Sequence, residues 1–266
     1  MKLRPAVFLL GAVLLGGCAA VPKDPVARAE YREADDPLEP MNRRIFAFNE
    51  ILDKAIIRPV AKGYVKVIPK AGRDGIKNFV SNLNEPLVFA NNILQGQFSR
   101  AGTTAGRFVF NTTFGVGGVS DYAGRHGLPK QTGDLGQTFH VWGFPEGPYL
   151  MLPLFGPSNP RDGLGQAVTY FVDPYRFAVE NNHAPTIVAY GPAVAGGVDE
   201  RARALDPLDA IRKQSVDFYA SLRSFFRQNR AAQLRGDTAP PAPGPDNFYE
   251  DPGAVSTPEP ANPPKS

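Results

Sequence analysis

The chain is poor in the residues from which catalytic and metal centres are usually built. Its 266 residues include one cysteine and three histidines, so an internal disulfide and a multi-cysteine metal site are both excluded. No Gly-x-Ser-x-Gly or His-Glu-x-x-His motif accompanies His126, His140 or His183, and no lysine of a phosphate-binding loop follows a glycine-rich turn. We therefore expect no enzyme, no bound metal and no cofactor.

Long uninterrupted hydrophobic runs are also missing. Three uncharged stretches are apolar or aromatic but are broken every few residues by proline or glycine: residues 135–145, 147–160 and 181–198. None of them can cross a bilayer as a continuous helix. They form either the buried core of a large domain or a body sunk part-way into one leaflet, with short helices lying flat in it.

The start of the chain has the features of a secretory signal. Two basic residues precede an apolar segment, residues 6–15, which is too short to span a bilayer, and the sequence Leu-Gly-Gly leads directly to Cys18. This order resembles the lipobox of bacterial lipoproteins. It predicts that residues 1–17 are removed as a signal peptide and that Cys18 is lipidated, and Ala19 in place of aspartate implies delivery to the outer membrane. The alternative is an ordinary signal peptide with a chance cysteine.

Two polar segments flank the part of the chain that can fold. Residues 18–35 are predicted to be a tether, and residues 236–266 are so rich in proline that they cannot bury enough apolar area to offset their ordering entropy, which predicts a disordered tail. Residues 36–235 are enough for a domain with a real core. The 26 basic and 21 acidic residues between Cys18 and Gly236 give a net charge of +5, which suits anionic lipid head groups or acidic protein surfaces rather than nucleic acid.

The predicted fold class is all-α or mostly α. Three segments combine a capping side chain, an early proline and an acid, and each predicts a helix start: Asp36-Pro37-Leu38-Glu39, Asn159-Pro160-Arg161-Asp162 and Asp206-Pro207-Leu208-Asp209. The last of these predicts one long amphipathic helix that continues to about Gln233. Further helical patterns cover residues 76–83, 87–94 and 101–112, and residues 149–154 are the best strand candidate.

A series of basic residues recurs every three or four positions: Arg58, Lys62, Lys66, Lys70, Arg73 and Lys77. Pro69 must interrupt any continuous helix through this series. The series is either an ordinary solvated helix face or a surface that contacts the anionic head groups of phospholipids. The spacing alone does not decide between the two.

Many short motifs follow one another between Asp36 and about Gln233. They include Asp36-Pro37-Leu38-Glu39-Pro40-Met41-Asn42-Arg43, Phe46-Ala47-Phe48-Asn49, Asn82-Leu83-Asn84-Glu85-Pro86, Asn111-Thr112, Asp134-Leu135-Gly136-Gln137-Thr138, Gly147-Pro148-Tyr149-Leu150 and Gly156-Pro157-Ser158. In this order they resemble the MlaA (VacJ) family of outer-membrane phospholipid-transport lipoproteins. So many motifs in one order are far more specific than any one of them.

The resemblance implies a ring of amphipathic and interrupted helices lying in the periplasmic leaflet of the cell outer membrane around a central channel. Misplaced phospholipids of the outer leaflet would pass through the channel to a soluble periplasmic lipid carrier (MlaC-like), which maintains lipid asymmetry by retrograde transport. Trimeric porins are the expected outer-membrane partners. The alternatives are a structural or adaptor lipoprotein with a solid core and a periplasmic hydrolase that uses His126 or His140.

A lipid path needs an apolar wall for acyl chains and a polar surface for the head group. Polar residues in an apolar or glycine-rich context are therefore the channel candidates: Asp121, Asn111, Thr112 and Ser120. Gly115, Gly117 and Gly118 predict a tight turn or a hinge beside them, and Phe48 and Asn49 are candidates for holding the channel in its resting state. The alternatives are capping or structural hydrogen bonds for the polar candidates and ordinary helix packing for Phe48 and Asn49.

Overall fold

The computed structural model describes Asp24 and residues 35–236. The predicted signal peptide, the predicted lipidation of Cys18, most of the tether and the proline-rich tail after Gly236 lie outside the described residues. The described part is 73% helical with one small two-stranded sheet, so the mostly α prediction is confirmed. The helices are α1 (Glu39–Leu52), α2 (Arg58–Val67), α3 (Lys70–Leu94), α4 (Phe98–Thr113), α5 (Tyr122–Arg125), α6 (Leu135–Val141), α7 (Pro160–Val172), α8 (Pro174–Asn181), α9 (Thr186–Arg203), α10 (Leu205–Gln214) and α11 (Phe218–Arg235).

A π-helical turn, Asp53–Ile57, joins α1 and α2 into one continuous helical run. The backbone N–H of Arg58 donates to the carbonyl oxygen of Asp53, five residues back. Pro59, which has no N–H to donate, follows in the first turn of α2. The run ends at Ile68, whose extended backbone leads into Pro69, so the predicted interruption at Pro69 is confirmed.

The helical patterns predicted for residues 76–83 and 87–94 belong to one long helix. α3 continues through Pro86, although proline removes a hydrogen bond from a helix interior. α3 packs along α4, and this is the most extensive helix–helix contact of the described fold. The packing of a long amphipathic face therefore outweighs the local signal of the proline.

The predicted helix starts have different outcomes. Asn159 caps α7 by accepting a hydrogen bond from the amide of Asp162 at 2.8 Å, as predicted. The start predicted at Asp36 is wrong, because α1 begins at Glu39 without a side-chain cap. The carboxylate of Asp36 is buried and accepts hydrogen bonds from three side chains instead, those of Asn42, Tyr219 and Arg223. It fastens the beginning of α1 to α11 rather than capping a helix.

The single long helix predicted to reach Gln233 is also wrong, since the structure divides it into α10 and α11. The division lies at Ser215, where the backbone is extended (φ −85°, ψ 137°). Asp217 then caps α11 by accepting a hydrogen bond from the amide three residues on, at 3.2 Å. α10 itself begins at Leu205, so Asp206 lies inside its first turn and is not its cap.

The small sheet consists of β1 (Leu150–Leu152) and β2 (Gly156–Ser158), paired antiparallel with Leu150 opposite Ser158. The predicted strand at residues 149–154 is thus confirmed in its central part. The buried amide of Asn42 on α1 donates to the carbonyl oxygen of Tyr149 at 3.0 Å and accepts from the N–H of Met151 at 2.9 Å. These bonds fix the hairpin against α1, where Tyr149 and Met151 pack with Tyr219 in a small hydrophobic core.

The distribution of polarity is opposite to that of a water-soluble domain. Among the described residues, ten hydrophobic side chains are buried, compared with seventeen polar or charged ones. Large apolar side chains lie on the outside, and Phe171, Phe155 and Ile187 are all more than three-quarters exposed. Soluble proteins rarely expose so many large apolar side chains while burying so few. Within the described residues, no helix combines the length and the apolar character needed to cross a membrane.

Candidate functional site

A cavity of about 640 Å³ lies between the α1–π-turn segment, the β-hairpin and the helices α9 to α11. Sites for small organic ligands typically have volumes of about 300–1,000 Å³. Most of its wall is apolar, with side chains that include Phe46, Leu52, Ile57, Met151, Phe155 and Val194. Charged side chains complete the wall: Glu50, Asp53, Glu200, Arg201 and Arg212. The cavity is therefore amphipathic, which is what a molecule with a charged head and apolar chains requires.

Two ion pairs cross this cavity wall. Arg201 on α9 donates through Nε and Nη2 to the two carboxylate oxygens of Asp53, at 2.6 and 2.8 Å. Arg212 on α10 donates through Nη2 to Glu50 at 2.6 Å. The hydrogen bonds to Asp53 outweigh burial and raise the pKa of Arg201, so its guanidinium is charged. Both pairs fasten the C-terminal helices to the α1–π-turn segment.

The two resting-state candidates take different positions. Asn49 lines the cavity, and its amide donates to the carbonyl oxygen of Leu152 and accepts from the N–H of Leu154, each at 2.9 Å. It therefore holds the hairpin on α1. Phe48 is half-exposed and is not among the residues that line the cavity. A role for either residue in a resting state stays a prediction.

The four polar channel candidates lie at the end of α4 and the start of α5, away from this cavity. Asp121 caps α5 through the amide of Gly124 and also accepts hydrogen bonds from Arg107 at 3.0 Å and Asn111 at 3.3 Å. Burial acts to raise the pKa of Asp121, but the Gly124 amide and the charge of Arg107 lower it overall. Thr112 accepts from Asn82, and Ser120 accepts from Arg125. The structural bonds are observed, and a role in a lipid path stays a prediction.

Residues 114–119 form the turn between α4 and α5. Gly117 and Gly118 have positive φ angles of 66° and 92°. A Cβ atom at Gly118 would lie 2.6 Å from Cγ of the buried Asn82, whereas a Cβ at Gly117 would meet nothing within 4 Å. Gly115 is buried against the carbonyl oxygens of Asn111 and Ser120. The turn thus needs glycine for backbone conformation at Gly117 and Gly118, and for space at Gly115 and Gly118.

We expect Gly118→Ala to destabilise the protein more than Gly117→Ala. The conformational strain of a left-handed alanine costs about 1–2 kcal/mol at either position. Only the alanine at Gly118 also displaces the side chain of Asn82, which adds about 1–3 kcal/mol of overpacking. Thermal unfolding of the two purified variants in the same detergent measures the difference. Equal melting temperatures would show that Asn82 moves aside freely and that the close approach is unimportant.

The basic series is divided by the break at Pro69, with Lys62 and Lys66 on α2 and the remaining lysines on α3. Lys62, Lys66 and Lys77 are exposed. Lys70 pairs with Asp74 four residues on at 2.7 Å, and Arg73 is only partly exposed. Arg58, at the start of the series, pairs with Asp209 of α10 at 2.5 Å. Contact of this surface with head groups stays a prediction.

A polar cluster that is buried at Asp162 and Arg230 and half-exposed at Asp134 joins α6, α7 and α11 next to a second, smaller cavity. Arg230 on α11 donates to both oxygens of Asp162 and to both oxygens of Asp134, at 2.7–2.9 Å. Burial opposes ionisation of Asp134, but the hydrogen bonds from Arg230 outweigh it and lower the pKa of the carboxyl group. Gly136 contributes no side chain here, and a Cβ atom at that position would collide with Asp162 and Arg230.

Neither candidate histidine of the hydrolase alternative has a catalytic arrangement. His126 stacks on Tyr122, and its Nδ1 atom lies 2.8 Å from that residue's carbonyl oxygen. His140 Nδ1 lies 3.4 Å from Nη1 of Arg161. In the part of the chain that the structure describes, no group of three or more His, Cys, Asp or Glu side chains could hold a metal ion.

Sequence reasoning missed the charged side chains of the cavity. Asp53 and Arg201 are 148 positions apart, and neither belongs to a motif. A weak signal existed on α1 and the π turn, where Glu50 and Asp53 are three residues apart and flank the apolar residues Ile51 and Leu52. Nothing in the sequence identifies their partners on α9 and α10.

The fold and the cavity together define a class of protein: a helical body with a polar interior and an apolar outer surface, with an amphipathic cavity that opens to the outside. The chain belongs to the MlaA lipoprotein family, whose family model matches residues 34–233. The resemblance inferred from the motifs is therefore confirmed.

Several relatives cover most of this chain. The intermembrane phospholipid transport system lipoprotein MlaA of Escherichia coli (strain K12) is 33% identical over 249 residues, which are 92% of this chain and 94% of that protein. The protein of the same name from Haemophilus influenzae is 32% identical over 226 residues, 83% of this chain and 86% of that one. An uncharacterized protein of Rickettsia felis is 34% identical over 204 residues, 76% of this chain and 79% of that one.

A solved structure is similar to this fold as well. It comes from work on the structural basis for maintenance of bacterial outer membrane lipid asymmetry, and it matches with a TM-score of 0.63 at 34% sequence identity. The match covers 75% of this chain and 98% of the solved chain. The two MlaA relatives named here are transport lipoproteins, which favours a function other than catalysis.

Proposed function

We propose that this protein is a lipid-anchored outer-membrane lipoprotein that removes mislocalised phospholipids from the outer leaflet. It lies in the periplasmic leaflet as a helical ring, takes phospholipids through a central amphipathic channel and passes them to a soluble periplasmic carrier. Trimeric porins are its outer-membrane partners. The named relatives from Escherichia coli and Haemophilus influenzae belong to an intermembrane phospholipid transport system, which supports the phospholipid transport proposed here.

The observation that carries this proposal is the combination of an apolar exterior with an amphipathic interior. Exposed apolar side chains on α3, α6 and α7 are favourable in hydrocarbon and unfavourable in water, at about 25 cal/mol for each Å². Because no described helix can span the bilayer, we place these helices flat within one leaflet. The acyl anchor predicted at Cys18 holds the body there.

The cavity favours transport over the adaptor alternative. An adaptor that docks other envelope proteins has no need of an open cavity with charged side chains on an otherwise apolar wall. The cavity here has both, with the ion pairs of Arg201 and Arg212 beside Met151 and Phe155. Such a wall accommodates a head group and acyl chains at the same time.

Trp142, the only tryptophan of the chain, gives a direct test of whether the folded body is immersed in the bilayer. Its ring is half-exposed among other exposed apolar side chains, and its indole N–H donates to the carbonyl oxygen of Leu94. We expect phospholipids brominated on the acyl chains to quench its fluorescence after reconstitution, and aqueous iodide to quench it weakly. The same preparation is expected to retain bound phospholipid after purification, measured by extraction and mass spectrometry.

A second probe position controls for local effects around Trp142. Phe171→Trp in a Trp142→Phe background moves the fluorophore to the highly exposed end of α7, where we expect the same quenching by brominated lipid. Strong quenching by iodide at both positions, together with the absence of bound phospholipid, would overturn the proposed function. A body held in water on its tether, as the adaptor alternative requires, gives that result.

A further inference from the structure

Arg201 has hydrogen-bonding capacity that no described residue uses. Its Nε and Nη2 atoms are occupied by Asp53, but Nη1 is buried and has no hydrogen-bond partner in the described structure. The side chain as a whole is 13% exposed and lines the cavity. A buried charged donor without an acceptor is costly and needs an explanation. Nη1 is shielded from solvent in this arrangement, so a ligand with anionic oxygens would supply the missing acceptor after the guanidinium turns a short way toward the cavity.

Arg212 brings a second guanidinium to the same wall. Its Nη2 atom donates to Glu50, while its Nη1 atom stays 4.0 Å from the nearest oxygen of Asp209, which is beyond hydrogen-bonding distance. The two pairs are electrostatically coupled, because the charges of Asp209 and Glu50 also act on Arg201. Arginine is well suited to phosphate, since its planar fork can donate two parallel hydrogen bonds.

The cavity wall carries acidic side chains as well as the two arginines. Glu50 and Asp53 are paired with the two arginines, whereas Glu200, an exposed residue of the cavity wall, forms no ion pair with any described residue. A purely anionic ligand would be repelled by this surplus carboxylate. A ligand with a phosphate and a nearby ammonium group matches both the arginines and Glu200.

We propose that Arg201, with Arg212 beside it, binds the phosphate of a zwitterionic phospholipid while Glu200 binds the ammonium of its head group. This inference rests on the proposed function and names the substrate class of its cavity. The acyl chains lie along the apolar wall formed by Met151, Phe155 and their neighbours. The phosphate shares Arg201 with Asp53, which belongs to the π-helical turn, a local distortion common at functional sites.

The test compares two ligands that differ only in the head group, dihexanoyl phosphatidylethanolamine and dihexanoylglycerol. Calorimetric titration of the purified full-length protein in detergent is expected to show tighter binding of the phospholipid. Arg201→Gln should weaken phospholipid binding about tenfold, as expected for a charge-assisted hydrogen bond, and leave dihexanoylglycerol binding unchanged. Arg203→Gln is the matched control on the same helix, because Arg203 pairs with Asp199 and Asp74 and does not line the cavity.

Asp53→Asn distinguishes a role of Arg201 in ligand binding from a purely structural role of its ion pair with Asp53. If the phosphate shares Arg201 with Asp53, removing the carboxylate charge leaves more of the guanidinium charge to the phosphate, and this variant binds phosphatidylethanolamine more tightly than the wild type. If the pair only holds the helices together, the variant binds both ligands more weakly, and the inference is wrong. This variant also keeps the test decisive if Arg201→Gln fails to fold.

The remaining outcomes distinguish this inference from the proposed function. Equal affinity of the wild type for the two ligands overturns the phosphate site and leaves lipid transport standing. Failure to bind either ligand overturns both. Dihexanoyl phosphatidylglycerol, which lacks the ammonium, is expected to bind more weakly than phosphatidylethanolamine, and Glu200→Gln should remove that preference. A preference that survives Glu200→Gln would contradict the role of Glu200.

Discussion

Replacement of Arg230 with methionine is expected to lower the free energy of unfolding by about 3 kcal/mol. Arg230 neutralises Asp162, which is buried, through two hydrogen bonds of 2.7 and 2.8 Å. Without it, the carboxylate keeps only a weaker charged partner, Nε of Arg161 at 3.3 Å. An incompletely paired charge in a buried site is strongly unfavourable, and methionine fills a similar volume without carrying charge. Chemical denaturation of the purified protein in detergent measures the change.

Two further variants test whether the loss of stability comes from the buried charge pair itself. Lys70→Gln removes an exposed ion pair with Asp74, and we expect it to change stability by less than about 1 kcal/mol. Asp162→Asn should cost less in the Arg230→Met background than in the wild type, because the carboxylate and the guanidinium act as one unit. If the losses of stability in the two single variants simply add up in the double variant, the interaction between Arg230 and Asp162 contributes little to stability. The cluster would then be held together by packing alone.

Local sequence signals predicted helix boundaries correctly where the side chain that sets the boundary has no competing partner elsewhere in the fold. Asn159 caps α7 as its motif predicts, and Pro69 separates α2 from α3. The motif at Asp36 has the same residue types, yet its carboxylate binds Tyr219 and Arg223, more than 180 positions away. A capping motif describes what a side chain can do, and tertiary partners decide whether it does so.

The division between α10 and α11 shows a different limit. Hydrophobic periodicity runs through both helices, so a reading based on periodicity predicts one helix. Asp217 nevertheless caps α11, and the extended residue Ser215 before it turns the chain. The capping signal was present in the sequence but was outweighed in the prediction by a longer and stronger pattern.

The candidate site was the least predictable part of the molecule. The motifs indicated the family and, through it, a lipid path, but the polar candidates around Asp121 proved to be joined by turn and capping bonds. The charged residues of the cavity lie on segments that meet only in the folded chain, as Asp53 and Arg201 do. A single sequence contains no signal for such a pairing, because charge complementarity alone does not select one partner among many.

The cavity can be filled at Gly197 without disturbing its walls. Gly197 lies on α9 and lines the cavity, and a Cβ atom at this position would meet no other atom within 4 Å. A tryptophan there can extend into the open space, where it would occupy the volume that acyl chains need. Since both ion pairs across the cavity wall stay intact, the substitution is expected to leave the fold unchanged and to block passage.

In cells that lack the chromosomal copy, we expect Gly197→Trp to leave outer-leaflet phospholipid as high as in cells without any copy. Gly197→Ala is the matched control and should restore the wild-type level, because a methyl group occupies little of the cavity. Gly102→Trp places the same bulky ring in open space on α4, away from this cavity, and should also restore it. Amine labelling of intact cells measures the exposed phospholipid, and immunoblotting checks that the variants accumulate equally. Full restoration by Gly197→Trp would mean that lipids do not pass through this cavity, because a path of such limited volume cannot hold an indole ring and acyl chains together.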